Sequence, residues 1–187
     1  MSERTQPPPV STELERPARQ GSVVTGAERA LAVEQWLLCA AKDRDQARAE
    51  WEQDGGALLR CGGLFSAIRL PLALVAAAAG TDDRQHVAAY LADALHGGGV
   101  FVDEVFQQVY FLVPTAACQP GQTGWLRGLP DAGTLHSEAF LGVPRPCTSD
   151  RRRYWLVEMG GPGDLCTPDA VKQLVAYARF RDLQNDA

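Results

Sequence analysis

The apolar positions of this chain recur with two periods, and the period decides the element. Val33, Trp36, Leu37, Ala40, Ala47 and Trp51 follow one another at helical spacing, with a polar interval between Lys42 and Gln46. One helix or two are predicted, ending at Asp54-Gly55-Gly56. Ahead of them Thr25-Gly26-Ala27-Glu28 has the form of a capping box, in which hydroxyl and carboxylate each accept from the other residue's amide. The period then shortens. Residues 57–60 and 64–70 read as two short strands around Gly62-Gly63. In the second, Phe65, Ala67 and Arg69 share one face and Leu64, Ser66, Ile68 and Leu70 the other.

A short helix is expected over 73–79. Another opens at Gly80-Thr81-Asp82-Asp83, carries the stripe Val87, Tyr90, Leu91, Ala94, Leu95, and stops at Gly97-Gly98-Gly99. The stretch GGGVFVDEVFQQVYFLVP predicts a hairpin. Its strands are Val100-Phe101-Val102 and 109–113, and its reversal is at Asp103-Glu104. Residues 115–133 carry turn signals at Pro120-Gly121 and Pro130-Asp131. Strands are expected over 135–143 and 153–157. Thr167-Pro168-Asp169 starts a last helix, with Val171, Leu174, Val175 and Ala178 facing inward. Helices before, between and after several strands predict an α+β fold: a small mixed or antiparallel sheet with flanking helices, one N-terminal and one C-terminal.

Composition sets the limits of this picture. Residues 1–24 are rich in Pro, Ser, Thr, Glu, Arg and Gln, which predicts a disordered tail. One domain is expected over 25–183, with a short tail at 184–187. The net charge of −5 opposes general phosphate binding but leaves room for a local basic patch. No stretch is apolar enough to cross a membrane, and the first ten residues lack the apolar segment of a secretory signal. The five cysteines are scattered, without zinc-finger spacing, and read as reduced thiols of a cytoplasmic protein.

Candidate chemistry is sparse. Asp103 and Glu104 are the one acidic pair on a strand, but neighbours on a strand point to opposite faces and do not chelate by themselves. A metal site would need a third acid, with Asp131, Glu138 and Glu158 at no diagnostic spacing. His86, His96 and His136 form no metal-binding pair, and His136-Ser137-Glu138 cannot converge as a triad from consecutive positions. The glycine runs at 97–99 and 160–163 lack the context of a phosphate loop. The feature that stands out is basic and aromatic: Arg145, then Arg151, Arg152, Arg153 and Tyr154. Arginines beside an aromatic ring suit phosphates and a stacked base, although arginines leading into an edge strand also guard against aggregation.

The segments AEWEQDGGALLRCGGLFSAIRLP, YFLVP, LGVPRP and YWLVEMGGPGDLCTPDAVKQLV resemble an actinobacterial family of streptomycete-type genomes and their mobile elements. Some of its members are described as similar to the N-terminal domain of bifunctional DNA primase/polymerases. The resemblance spans residues 49–180. It implies a role near DNA, but VFVDEVF has no DxD pattern and no histidine precedes YFLVP, so no catalytic residue carries over. The expectation is a non-catalytic accessory protein without a cofactor, partnered by DNA or by a replication or transfer protein. One alternative is a degenerate metal-dependent nucleotidyl-transfer enzyme using Asp103 and Glu104. The other is a protein-interaction scaffold.

Overall fold

The computed structural model describes residues 25–148 and 152–185, with side chains as far as Arg181. The expected N-terminal tail and Arg151 lie outside the described residues. The capping box at Thr25 forms as expected: the Thr25 amide donates to Glu28 Oε2 at 2.8 Å and the Glu28 amide to Thr25 Oγ1 at 3.2 Å. It opens α1 (Gly26–Leu38). The polar interval resolves into a break, after which Asp43 Oδ1 accepts from the amides of Asp45 and Gln46 and caps α2 (Arg44–Asp54).

The strands are β1 (Gly56–Arg60), β2 (Ser66–Pro71), β3 (Val100–Asp103), β4 (Gln108–Val113), β5 (Gly133–Leu135), β6 (Phe140–Pro144) and β7 (Arg153–Val157). Every pairing among them is antiparallel. Five form one sheet in the order β5-β2-β4-β3-β7, while β1 and β6 form a separate pair. The fold is α+β. Helices α3 (Leu72–Ala79), α4 (Arg84–Leu95) and α5 (Pro168–Asn185) complete it.

The five-stranded sheet is covered on both sides, which gives two cores. On one face Ile68, Leu70, Val102, Val109 and Phe111 pack against α3, α4 and α5, with Val75, Leu91 and Val171 among the buried partners. On the other face Ala67, Phe101, Leu112 and Trp155 meet α1, α2 and the β1–β6 pair, through Leu37, Trp51, Leu59 and Val143. Tyr154 and Trp155 alternate, so each enters a different core, and both are buried. Trp51 is anchored by its indole N–H, which donates to the Val143 carbonyl at 2.9 Å.

The two strands expected around Gly62-Gly63 form as β1 and β2, and they lie in different sheets: β1 pairs with β6, and β2 with β4 and β5. Two details differ from expectation. The single strand expected over 135–143 is two strands, because Glu138 takes φ +70 and turns the chain from one sheet to the other. Arg60 pairs with Glu138 across that turn. The hairpin reverses through Glu104–Gln107, one step past the expected place, and Asp103 is the last residue of β3.

Candidate nucleic-acid interface

The basic and acidic candidates meet at one end of the sheet, where β7 begins beside the end of β3. Register sets Asp103 opposite Arg153, both on the face that carries Phe101 and Trp155. Arg153 Nε donates to Asp103 Oδ2 at 2.6 Å. The other carboxylate oxygen, Oδ1, accepts from the amides of Val105 and Phe106 at 3.1 and 3.3 Å, which shapes the turn. The Asp103 side chain is 4% exposed and the Arg153 side chain 30%. The guanidinium runs between the sheet and the β1–β6 pair, and a methyl at Gly142 would come within 2.8 Å of its Nη1. Glycine there is a matter of room for Arg153.

Glu104 points the other way, as alternation requires. Its Oε1 accepts from the Tyr154 hydroxyl and its Oε2 from Gln107 Nε2. The Arg84 guanidinium sits over the Tyr154 ring, 3.3 Å from its centroid. Burial first, then the hydrogen bond and charge of Glu104, push the Tyr154 hydroxyl up to about 12. Tyr154 is therefore a neutral, buried donor on the helical side, with its ring turned away from the arginines of the opposite face.

The two acids thus diverge, and both oxygens of each are engaged within the protein. Among the described residues no group of three His, Cys, Asp or Glu side chains is placed to hold a metal ion.

Around Arg153 a cleft of about 760 Å³ opens between the C-terminal end of α2 and the β3–β4 turn. It is lined by Arg145, Arg152 and Arg153, by Trp51, Glu52 and Asp54 of α2, and by Val105 and Phe106 of the turn. Arg145 is held by Glu34 of α1, Nε to Oε2 at 2.9 Å, yet its side chain remains 40% exposed. Its carbonyl accepts from Trp155 Nε1 and from Thr148 Oγ1. Arg152 is exposed, and its backbone carbonyl accepts from the Glu104 amide at 2.8 Å. Of the five residues marked by sequence, three therefore line this cleft, Tyr154 lies on the opposite face, and Arg151 lies outside the described residues.

Sequence reading passed over Val105 and Phe106, which are 65% and 64% exposed. The signal was present: an apolar pair set between Asp-Glu and Gln-Gln falls in a reversal, where no core can reach it. Compared with protein-family models, with curated proteins and with solved structures, the chain matches none.

Proposed function

We propose that this protein is a non-catalytic binding protein whose ligand is a nucleic-acid strand, serving in the maintenance of DNA or of a mobile element. One observation carries the reading: Arg145, Arg152 and Arg153 share a cleft with an exposed aromatic side chain, Phe106. Guanidinium groups take phosphate oxygens in a forked geometry, and an exposed ring on a rigid turn offers a base a stacking surface. Glu52 and Asp54 line the same cleft and repel phosphates, which are therefore expected on the arginines. A single strand suits the cleft better than a duplex, because only an unpaired base presents its face to Phe106.

The test is a salt series with single- and double-stranded oligonucleotides, with and without Mn²⁺. The expected result is metal-independent binding, stronger for the single strand, that falls steeply as salt rises. Phe106→Ala is expected to weaken it by about 1–3 kcal/mol, the value of one stacked base, while leaving the melting temperature nearly unchanged. Binding that requires Mn²⁺ would replace this reading with the nucleotidyl-transfer alternative. No binding under any condition would leave the scaffold, for which Leu58 and Phe140, 56% and 49% exposed on the outer β1–β6 pair, are the surface to examine.

A further inference from the structure

The helix-covered side of the sheet opens at its margin, where the edge strand β7 meets the β3–β4 turn. The first turns of α3 and α4 border this opening, a cavity of about 440 Å³. Small-molecule sites span about 300–1,000 Å³. Leu72 and Ala76 of α3, Val87 of α4 and Leu156 of β7 give the cavity apolar walls. Asp82, Arg84, Glu104 and Tyr154 supply its polar groups.

Asp82 and Arg84 carry opposite charges and line the same space, yet they do not pair. Neither makes an ion pair with any described residue. Arg84 lies instead on the Tyr154 ring, 3.3 Å from its centroid. That ring is a fixed support, because Tyr154 is buried and its hydroxyl donates to Glu104. Stacking uses the face of the guanidinium and leaves the N–H donors at its rim for a planar oxyanion. A side chain immobilised before its ligand arrives loses less entropy on binding.

A bare anion does not suit this cavity. The two carboxylates outnumber the one guanidinium and repel it. A ligand that carries an ammonium as well as an oxyanion answers both signs. Glu104 accepts one hydrogen bond on each oxygen, from Tyr154 and from Gln107. A carboxylate has about four acceptor positions, so room for further N–H donors remains.

We propose that this cavity binds a small zwitterion, an α-amino acid with an apolar side chain. Arg84 takes the carboxylate in the forked arrangement. Asp82 and Glu104 take the ammonium, and the side chain lies against Leu72, Val87 and Leu156. This inference stands apart from the nucleic-acid reading, since the cavity is on the helical side and the arginine cleft on the other.

The experiment titrates L-leucine, glycine, 4-methylpentanoate and 3-methylbutylamine into the full chain at constant ionic strength. The Val87 methyl and Arg84 Nε–H resonances are the readouts, and L-leucine is expected to move both saturably. Glycine lacks the apolar side chain, 4-methylpentanoate the ammonium and 3-methylbutylamine the carboxylate. Each is expected to bind about tenfold more weakly than L-leucine, for loss of buried apolar area or of a charge-assisted hydrogen bond. Arg84→Met is expected to weaken L-leucine about tenfold and to leave 3-methylbutylamine unchanged. Asp82→Asn is expected to weaken L-leucine severalfold and to leave 4-methylpentanoate no weaker. Both positions are exposed, and the melting curve of each variant checks that it folds. Binding of 4-methylpentanoate as tight as that of L-leucine, a response unaltered by Arg84→Met, or no response to L-leucine would overturn the proposal.

Discussion

The two faces of the five-stranded sheet come from the same strands by alternation, yet they differ in kind. The helix-covered face presents Ile68, Leu70, Val100, Val102, Val109, Phe111 and Val113, each no more than 1% exposed. The opposite face is apolar over only half its length, through Ala67, Phe101, Leu112 and Trp155. Toward the β3–β4 turn it changes to Arg69, Gln108, Tyr110, Asp103 and Arg153. The first face is a packing surface from end to end. The second packs at one end and gathers charge at the other, and the cleft beside Arg153 opens there. Loops are the usual place for binding residues, and Arg145, Arg152 and Phe106 keep to that, while Arg153 is held in register by the sheet.

The widest gap between the faces is in stability. Phe111→Ala removes a fully buried ring from the helix side and is expected to cost about 3–5 kcal/mol in urea unfolding. Tyr110→Ala, one residue along and on the other face, removes a half-buried ring and is expected to cost about 1–2 kcal/mol. Equal losses would show that the mixed face is as much a packing surface as its counterpart.

Local features of this architecture were legible in the sequence. The capping box at Thr25 needs only four residues, and the stripes of α1, α4 and α5 need only helical spacing. The hairpin β3–β4 was visible because its strands are neighbours in sequence. Partner choice between distant strands was not. Residues 57–60 and 64–70 read as two strands around Gly62-Gly63, with no partner assigned to either; β1 finds β6, far along the chain, and only the completed second core decides it. The divergence of Asp103 and Glu104 followed from strand alternation alone. That Asp103 would close on Arg153 did not, since nothing in the local sequence aligns β3 with β7. Gly98 belongs with the unread part. It sits at φ +93 where a Cβ would overlap the Cys166 backbone, so the run that ends α4 also admits the loop from β7 to α5.

The Asp103–Arg153 pair tests the charged half directly. Asp103→Ala leaves the Arg153 guanidinium partly buried without its counter-charge and strips the turn amides of their acceptor. Arg153 keeps some access to water, so a loss of about 2–3 kcal/mol is expected, less than for a fully buried pair. Arg153→Met is expected to cost about as much or less, while Asp103→Leu combined with Arg153→Met recovers most of the loss. A double variant as unstable as the sum of the single ones would mean that the two residues act independently, and the face would lose its central contact.

The smallest effect concerns which face opens first, and three cysteines report it. Cys61 lies in the core of the mixed face, Cys118 and Cys166 in the core of the helix face, and all three are buried. Burial pushes Cys61 and Cys166 up to about 12 and Cys118 up to about 11. None is a thiolate at pH 8 while its core is closed, so each reacts with a disulfide reagent only through opening. Cys39 and Cys147 are exposed and are expected to react first. The Cys147 thiol is raised by burial and then by Glu158, which slows its reaction relative to an ordinary exposed thiol. Among the buried three, Cys61 is expected to precede the others by a few-fold, because its core is sealed by a two-stranded sheet and two helices rather than three packed helices. Mass spectrometry of the labelled chain gives the order. Simultaneous labelling of all three would mean that the faces open as one cooperative unit, and that the contrast between them is confined to chemistry.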